Sequence, residues 1–210
     1  MHVYNNLKRD KITSEIVSTN HSHKGVNIIH SENIMIRAIN LGCGMNKRKD
    51  ALNVDIIPEV RPDIVLDLNQ YPWPFKDEAF DAIYAHDVVE HLRDVVRFME
   101  ECWRILRPDG LLEITTPHFS CANSYTDPTH IHHFGYFSFD YFTFDSKYSF
   151  YSKARFRIER KIIAFHGSWL NAIIGRIANR YPEFYERRLC WIFPAWFLLF
   201  HLRAVKDNRV

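Results

Sequence analysis

Four histidines, His118, His130, His132 and His133, fall with Asp127 and several hydroxyl residues inside one stretch, Pro117 to Phe134. Imidazoles and a carboxylate gathered this way suit the binding and deprotonation of a substrate hydroxyl, because histidine titrates near neutral pH. His118 and His130 are the two candidates for the base, with Asp127 beside them. Each has a plainer reading. Asp127 before Pro128 is a turn former, and His130, His132 and His133 with Asp127 have the ligand types of a divalent-metal site. Their spacing matches no zinc signature, so no metal is assigned.

A second set of residues lies upstream. Met35 to Leu41 is a short apolar run that stops at Gly42-Cys43-Gly44, where the backbone needs freedom that a side chain would deny. Ala51 to Asp55 is a second strand ending in a carboxylate. In an open α/β sheet ligands bind outside the carboxyl ends of the strands, so the glycines would admit a ligand closely and Asp55 would accept from ribose hydroxyls. A dinucleotide is disfavoured. The third glycine of G-x-G-x-x-G is replaced by Lys47, and only about ten residues separate Gly44 from Asp55, too few for a full crossover helix.

The elements that position these residues follow the same α/β order. Asp63 to Leu68 reads as a third strand and Ala79 to Ala85 as a fourth, delivering His86 and Asp87 to the edge of the glycine turn. His91 to Leu106 has the apolar spacing of a helix laid on a sheet, ended by Pro108-Asp109-Gly110. Leu111 to Thr116 is a fifth strand, so the stretch after it starts on the same edge. Between strands three and four, the aromatics of Asn69 to Phe75 either wall an adenine or pack onto the core. Phe156 to Phe165 is a sixth strand, Trp169 to Arg180 an amphipathic helix, and Phe197 to Lys206 a last strand.

At these residues the chain resembles the class I S-adenosylmethionine-dependent methyltransferases. Asn40-Leu41-Gly42-Cys43-Gly44 is similar to their first motif, although many members carry an acidic residue where Asn40 stands. Asp55 resembles the acidic end of their second strand, Asp63 to Leu68 their third strand, and Phe80 to Leu92 their fourth strand and following turn. The likeness runs on through Ile105-Leu106-Arg107-Pro108-Asp109-Gly110. It implies a Rossmann-like, seven-stranded, mostly parallel sheet with a reduced first crossover helix and a helical C-terminal insertion. S-adenosyl-L-methionine would be the cofactor, with Asn40, Gly42 and Gly44 facing its methionine part. Asp55 would hold the ribose, Asp67 and Leu68 the adenine, with His86 and Asp87 beside the methyl group. Pro117-His118-Phe119-Ser120 and Asp127-Pro128-Thr129-His130 resemble a subgroup associated with surface-polysaccharide biosynthesis, which implies a sugar or glycolipid hydroxyl as acceptor. Rival readings are a lipid or small aromatic acceptor, and a non-catalytic binding or scaffold protein at a membrane surface.

The 210 residues suit a methyltransferase domain over 35–210 behind an N-terminal extension, 1–34, with an acceptor-binding segment at 117–150 and a helical insertion at 168–196. Four cysteines far apart indicate neither a disulfide frame nor a zinc ribbon, and the start lacks a signal-peptide pattern, so a cytoplasmic protein is expected. The net charge of +2 conceals an asymmetry. Lys147 to Val210 holds thirteen basic against four acidic residues, +9, and the remainder fourteen against twenty-one, −7. The basic third suits solvent or an anionic partner; no basic-aromatic repeat points to nucleic acid. Leu189 to Phe200 is the most apolar run, too short and proline-broken to span a bilayer. Its flanking arginines and tryptophans leave Trp169 to Pro194 as a candidate for peripheral membrane or homodimer contact.

Overall fold

A computed structural model describes residues 37–206. The N-terminal extension, with Met35 and Ile36, lies outside the described residues. Seven strands form one sheet: β1 (Ala38–Leu41), β2 (Leu52–Asp55), β3 (Ile64–Val65), β4 (Phe80–His86), β5 (Leu106–Pro117), β6 (Phe156–Ala164) and β7 (Phe197–Ala204). Their order is β3-β2-β1-β4-β5-β7-β6, with β7 antiparallel to both neighbours and the other pairs parallel. This is the expected seven-stranded, mostly parallel sheet.

Alternation along the strands divides the sheet into two unlike faces. Ile39, Leu41, Ile83, Ala85, Leu112, Ile114, Leu198, Phe200 and Leu202 are buried on one side. Helix α1 (Val95–Ile105) lays Phe98, Met99, Cys102 and Ile105 against that core. The helix begins four residues later than the apolar spacing suggests, because Asp94 is its N-cap, accepting from the Arg97 amide at 2.9 Å. His91 instead ends a separate 3-10 turn, Val89–His91. After α1, Phe80 pairs with Leu106 and Ala82 with Leu111, so Arg107 to Gly110 bulge outward with Asp109 at φ 60. The aromatics after β3 belong to the core: Trp73 and Phe75 are buried, and the Trp73 ring meets Phe98 edge-on. The opposite face is polar, with Glu113 bonded to His86 at 2.8 Å and to His201 at 3.0 Å.

No helix joins β1 to β2. The short linker is held instead by the buried side chain of Asn53. Its Oδ1 accepts from the Arg48 amide at 2.8 Å and from Asn40 Nδ2 at 3.1 Å. Its Nδ2 donates to the Arg48 and Ala51 carbonyls and to Asp63. One amide thus satisfies backbone groups that a crossover helix would have satisfied internally.

The C-terminal insertion contains α3 (Trp169–Arg180), reached after a single helical turn, α2 (Asn123–Thr126), in the segment that follows β5. Ser168 caps α3, accepting from the Asn171 amide at 3.1 Å. Ile174 and Ala178 face inward, whereas Leu170, Ile173 and Ile177 are exposed. Asn179 explains the choice: its amide bonds both the N–H and the carbonyl of Ile163 on edge strand β6, at 2.9 and 2.8 Å. That contact satisfies the edge and fixes which side of the helix turns in. A wide helical turn follows at Tyr185–Leu189, with the Tyr185 ring buried. Among the described residues no helix is long and apolar enough to cross a membrane.

Candidate active site

The carboxyl ends of β1, β2, β4 and β5 open on one edge. At the end of β1, Gly42 and Gly44 have φ of 62 and 46, a region that disfavours other residues. A Cβ at Gly42 would lie 2.5 Å from Val88 Cγ2, so this glycine lets the turn after β4 close against the loop. A Cβ at Gly44 would meet nothing within 4 Å. Its surface is therefore open to a ligand. The Gly44 amide donates to Asp55 Oδ2 at 2.7 Å, and the Ile57 amide donates to Oδ1 at 2.9 Å. A carboxylate has about four acceptor sites, so both oxygens retain capacity for a diol. Asn40 is buried, and its Nδ2 is committed to Asn46 O and Asn53 Oδ1. Asp67 closes an Asx turn on Asn69, whose N–H bonds hold its carboxyl below the usual range. Leu68 is buried beside it and accepts from the Trp73 indole at 3.2 Å.

The end of β4 supplies the second half. Asp87 has φ 54, donates its amide to Thr115 O at 2.9 Å, and has a carboxyl pushed up by burial. Glu90 follows in the 3-10 turn and is 1% exposed. Its Oε2 accepts from Thr116 at 3.1 Å, while its Oε1 has no hydrogen-bond partner. Burial raises its pKa to about 7. The Glu90 carbonyl accepts from the amides of Ile131 and His132, which brings His130 over the turn. The rings of His91 and His130 are then 4.6 Å apart, edge to face. His130 Nε2 lies 3.9 Å from Glu90 Oε1 and 4.0 Å from Asp127 Oδ2.

Hydrogen bonds set both tautomers. His130 Nδ1 faces the Ser124 carbonyl at 3.4 Å, an acceptor, so Nδ1 carries the proton and Nε2 the lone pair. Thr129 Oγ1 donates to Asp127 at 2.6 Å and therefore accepts from His91 Nδ1 at 2.8 Å. The free lone pair of His91 is again on Nε2. Asp127 does form the turn that its Pro128 neighbour suggests, and Thr129 lowers its pKa through side-chain and backbone bonds. It flanks the cluster as well.

The other candidates are placed elsewhere. His118 is fully buried, its Nδ1 bonded to Ser120 and its Nε2 3.2 Å from Glu186 Oε1. Glu186 also accepts from the Tyr136 amide at 2.5 Å, so Glu186 ties the segment after β5 to the C-terminal helical insertion. The His86 ring turns to Glu113 on the polar sheet face. The metal set weighed from sequence is not assembled, since His133 bonds Ser124 at 2.8 Å and stacks on Tyr125. Ligand atoms of Glu90, His91 and His130 do lie within 4.8 Å of one another. Sequence reasoning gave Glu90 no role. Its signal was a carboxylate lodged among Val88, Val89 and Leu92, where an apolar residue would be ordinary.

Residues 39–114 match the family model described as a methyltransferase domain. The chain is 42% identical over 53 residues to a probable S-adenosylmethionine-dependent methyltransferase of Mycobacterium tuberculosis, covering 25% of this chain and 19% of that one. It is 51% identical over 39 residues to the mitochondrial ubiquinone biosynthesis O-methyltransferase of Bos taurus, covering 19% of this chain and 10% of that one. The matches thus span 19% or less of these curated relatives. A methyltransferase from Archaeoglobus fulgidus superposes with a TM-score of 0.52 at 18% identity, over 80% of this chain and 85% of that one. The fold is the class I methyltransferase fold.

Proposed function

We propose that this protein is an S-adenosylmethionine-dependent methyltransferase that methylates a hydroxyl oxygen, and that its acceptor is a lipid-borne or small aromatic molecule rather than a sugar. The observation that carries the reading is the convergence, on one sheet edge, of an open glycine turn, the Asp55 carboxylate beside it and the Glu90, His91, His130 cluster. The residues fit the cofactor: Gly44 leaves room for its approach and Asp55 keeps lone pairs for two ribose hydroxyls. When bound, that group supplies an electrophilic methyl. The protein's own work is to hold the acceptor oxygen in line with it, which contributes most of the acceleration. As the C–O bond forms and the methyl–sulfur bond breaks, the hydroxyl proton passes to Asp127 at the rim of the cluster, with His130 holding the acceptor oxygen beside it.

Two observations favour an apolar acceptor over the surface-polysaccharide reading. Among the curated relatives, those of Bos taurus and Homo sapiens are named as mitochondrial ubiquinone biosynthesis O-methyltransferases. The C-terminal insertion also presents Trp169, Ile173, Tyr181, Phe184, Trp191 and Ile192 to solvent beside exposed Arg176, Arg180 and Arg188. A segment that exposes large apolar side chains interspersed with arginine suits the interface of an anionic membrane. The Trp191 ring packs on Phe119 of the acceptor segment, 5.6 Å between centroids, so this face adjoins the proposed acceptor side.

The test supplies methyl-labelled cofactor with a hydroxylated quinone-type lipid in anionic vesicles, and in parallel with soluble glycans. Label in the lipid, lost on His130→Ala, supports the reading. Label in glycans alone restores the sugar acceptor, and label in neither sinks oxygen methylation. Vesicle co-sedimentation that survives Trp169→Ala with Trp191→Ala, or a dimer that buries these rings, removes the membrane contact.

A further inference from the structure

We propose that Glu90, His91 and His130 form a binding site for one divalent first-row metal ion, which receives the oxygen of the methyl acceptor. The proposal deepens the methyltransferase reading and rests on it for the identity of the incoming oxygen. Three features of the geometry point to a cation. The three side chains offer ligand atoms within 4.8 Å of one another, close enough to converge on a single ion. Glu90 is 1% exposed, and its Oε1 lies buried with no hydrogen-bond partner. Such an orphaned carboxylate oxygen is costly unless something positive completes it. His130 Nε2, 3.9 Å from that oxygen, carries a free lone pair because Nδ1 donates to the Ser124 carbonyl.

The outer contacts are those of a ligand set. His130 donates Nδ1–H to the Ser124 carbonyl, and His91 donates Nδ1–H to Thr129, whose hydroxyl is bonded in turn to Asp127. Both rings are thereby held in the tautomer that points Nε2 at a metal. Thr116 does the same for Glu90 by occupying Oε2 and leaving Oε1. Two imidazoles and one carboxylate suit zinc, cobalt, iron or manganese better than calcium. Three protein ligands leave a position open, the arrangement of a catalytic rather than a structural ion. An acceptor hydroxyl bound there would become more acidic and lose its proton to Asp127, 4.0 Å from His130 Nε2 and open to water; its oxygen would then bond the methyl carbon as the carbon–sulfur bond of the cofactor's sulfonium breaks and the neutral thioether leaves.

The experiment strips the full-length protein with chelator, then titrates Zn²⁺ by calorimetry and Co²⁺ by visible absorption. The expected result is one saturable equivalent, with Co²⁺ bands of low-coordinate nitrogen and oxygen ligation. Affinity should fall at least 100-fold in His91→Ala, His130→Ala and Glu90→Gln, and be retained in His133→Ala, whose ring bonds Ser124 outside the cluster. Should an alanine variant unfold, the Co²⁺ spectrum of the wild type and Glu90→Gln decide alone. No saturable equivalent, or one indifferent to Glu90→Gln and His130→Ala, overturns the metal site. Cofactor affinity is measured on the same samples. Cofactor bound without metal defeats only this inference, whereas metal bound without cofactor defeats the methyltransferase reading.

Discussion

Replacing Gly42 by alanine tests whether the glycine turn is shaped by close packing. Two terms add. Alanine at φ 62 incurs left-handed strain of about 1–2 kcal/mol. Its Cβ would also sit 2.5 Å from Val88 Cγ2 and 2.8 Å from Val88 Cβ, an overpacking of about 1–3 kcal/mol. The sum, about 2–5 kcal/mol, is a large share of the roughly 5–15 kcal/mol of a typical domain. With an m-value of about 2 kcal/mol/M, the urea midpoint should fall by roughly 1–2.5 M. The second arm uses Val88→Ala. It removes the Cγ2 contact and leaves the Cβ contact, so the double variant should recover part of the loss but not all. A coupling of about 1 kcal/mol or more is expected from the four-way cycle. Strict additivity, or a Gly42→Ala protein as stable as wild type, would refute the packing argument.

Asn53→Ala leaves the Arg48 amide and carbonyl without their partner, so a loss of about 2–4 kcal/mol in thermal or urea unfolding is expected; an unchanged midpoint would mean the linker is held otherwise. In chelated protein, the raised Glu90 pKa of about 7 against the ordinary 4.5 makes the folded state bind the extra proton. Its contribution is then fully present below pH 4.5 and lost as pH rises through 7, about 3 kcal/mol in all. Glu90→Gln should flatten that slope, and an identical pH profile for both proteins would contradict the assignment.

The parallel half of the sheet was legible because its strands are short apolar runs closed by glycine, aspartate or proline at chain positions that leave few topologies. A reduced first crossover was equally legible, since about ten residues from Gly44 to Asp55 cannot hold a full helix, and the structure goes further by having none there. What replaces it was not, because Asn53 acts through the amides it meets after folding. The same limit explains α3. Its apolar stripe was plain, but Asn179 seizing Ile163 decided that Ile174 rather than Ile173 turned inward. In the site, the glycines and Asp55 follow from backbone chemistry, while His118 and His130 look alike in sequence. Only the turn at Val89–His91, which gathers the 130–132 backbone onto the Glu90 carbonyl, separates His118, tied to Glu186, from His130, held beside Glu90 and Asp127. Glu90 itself was hidden by its apolar neighbours.

The most direct measurement is calorimetric titration of the protein with S-adenosylmethionine, in wild type and Asp55→Ala. Two ribose hydroxyls bonded to an ionised carboxylate contribute about 2–4 kcal/mol, so saturable binding in the wild type should weaken roughly 30- to 1,000-fold in the variant, with its circular dichroism intact. A wild type that takes up no cofactor, or an Asp55→Ala protein that binds it as tightly, would contradict the account.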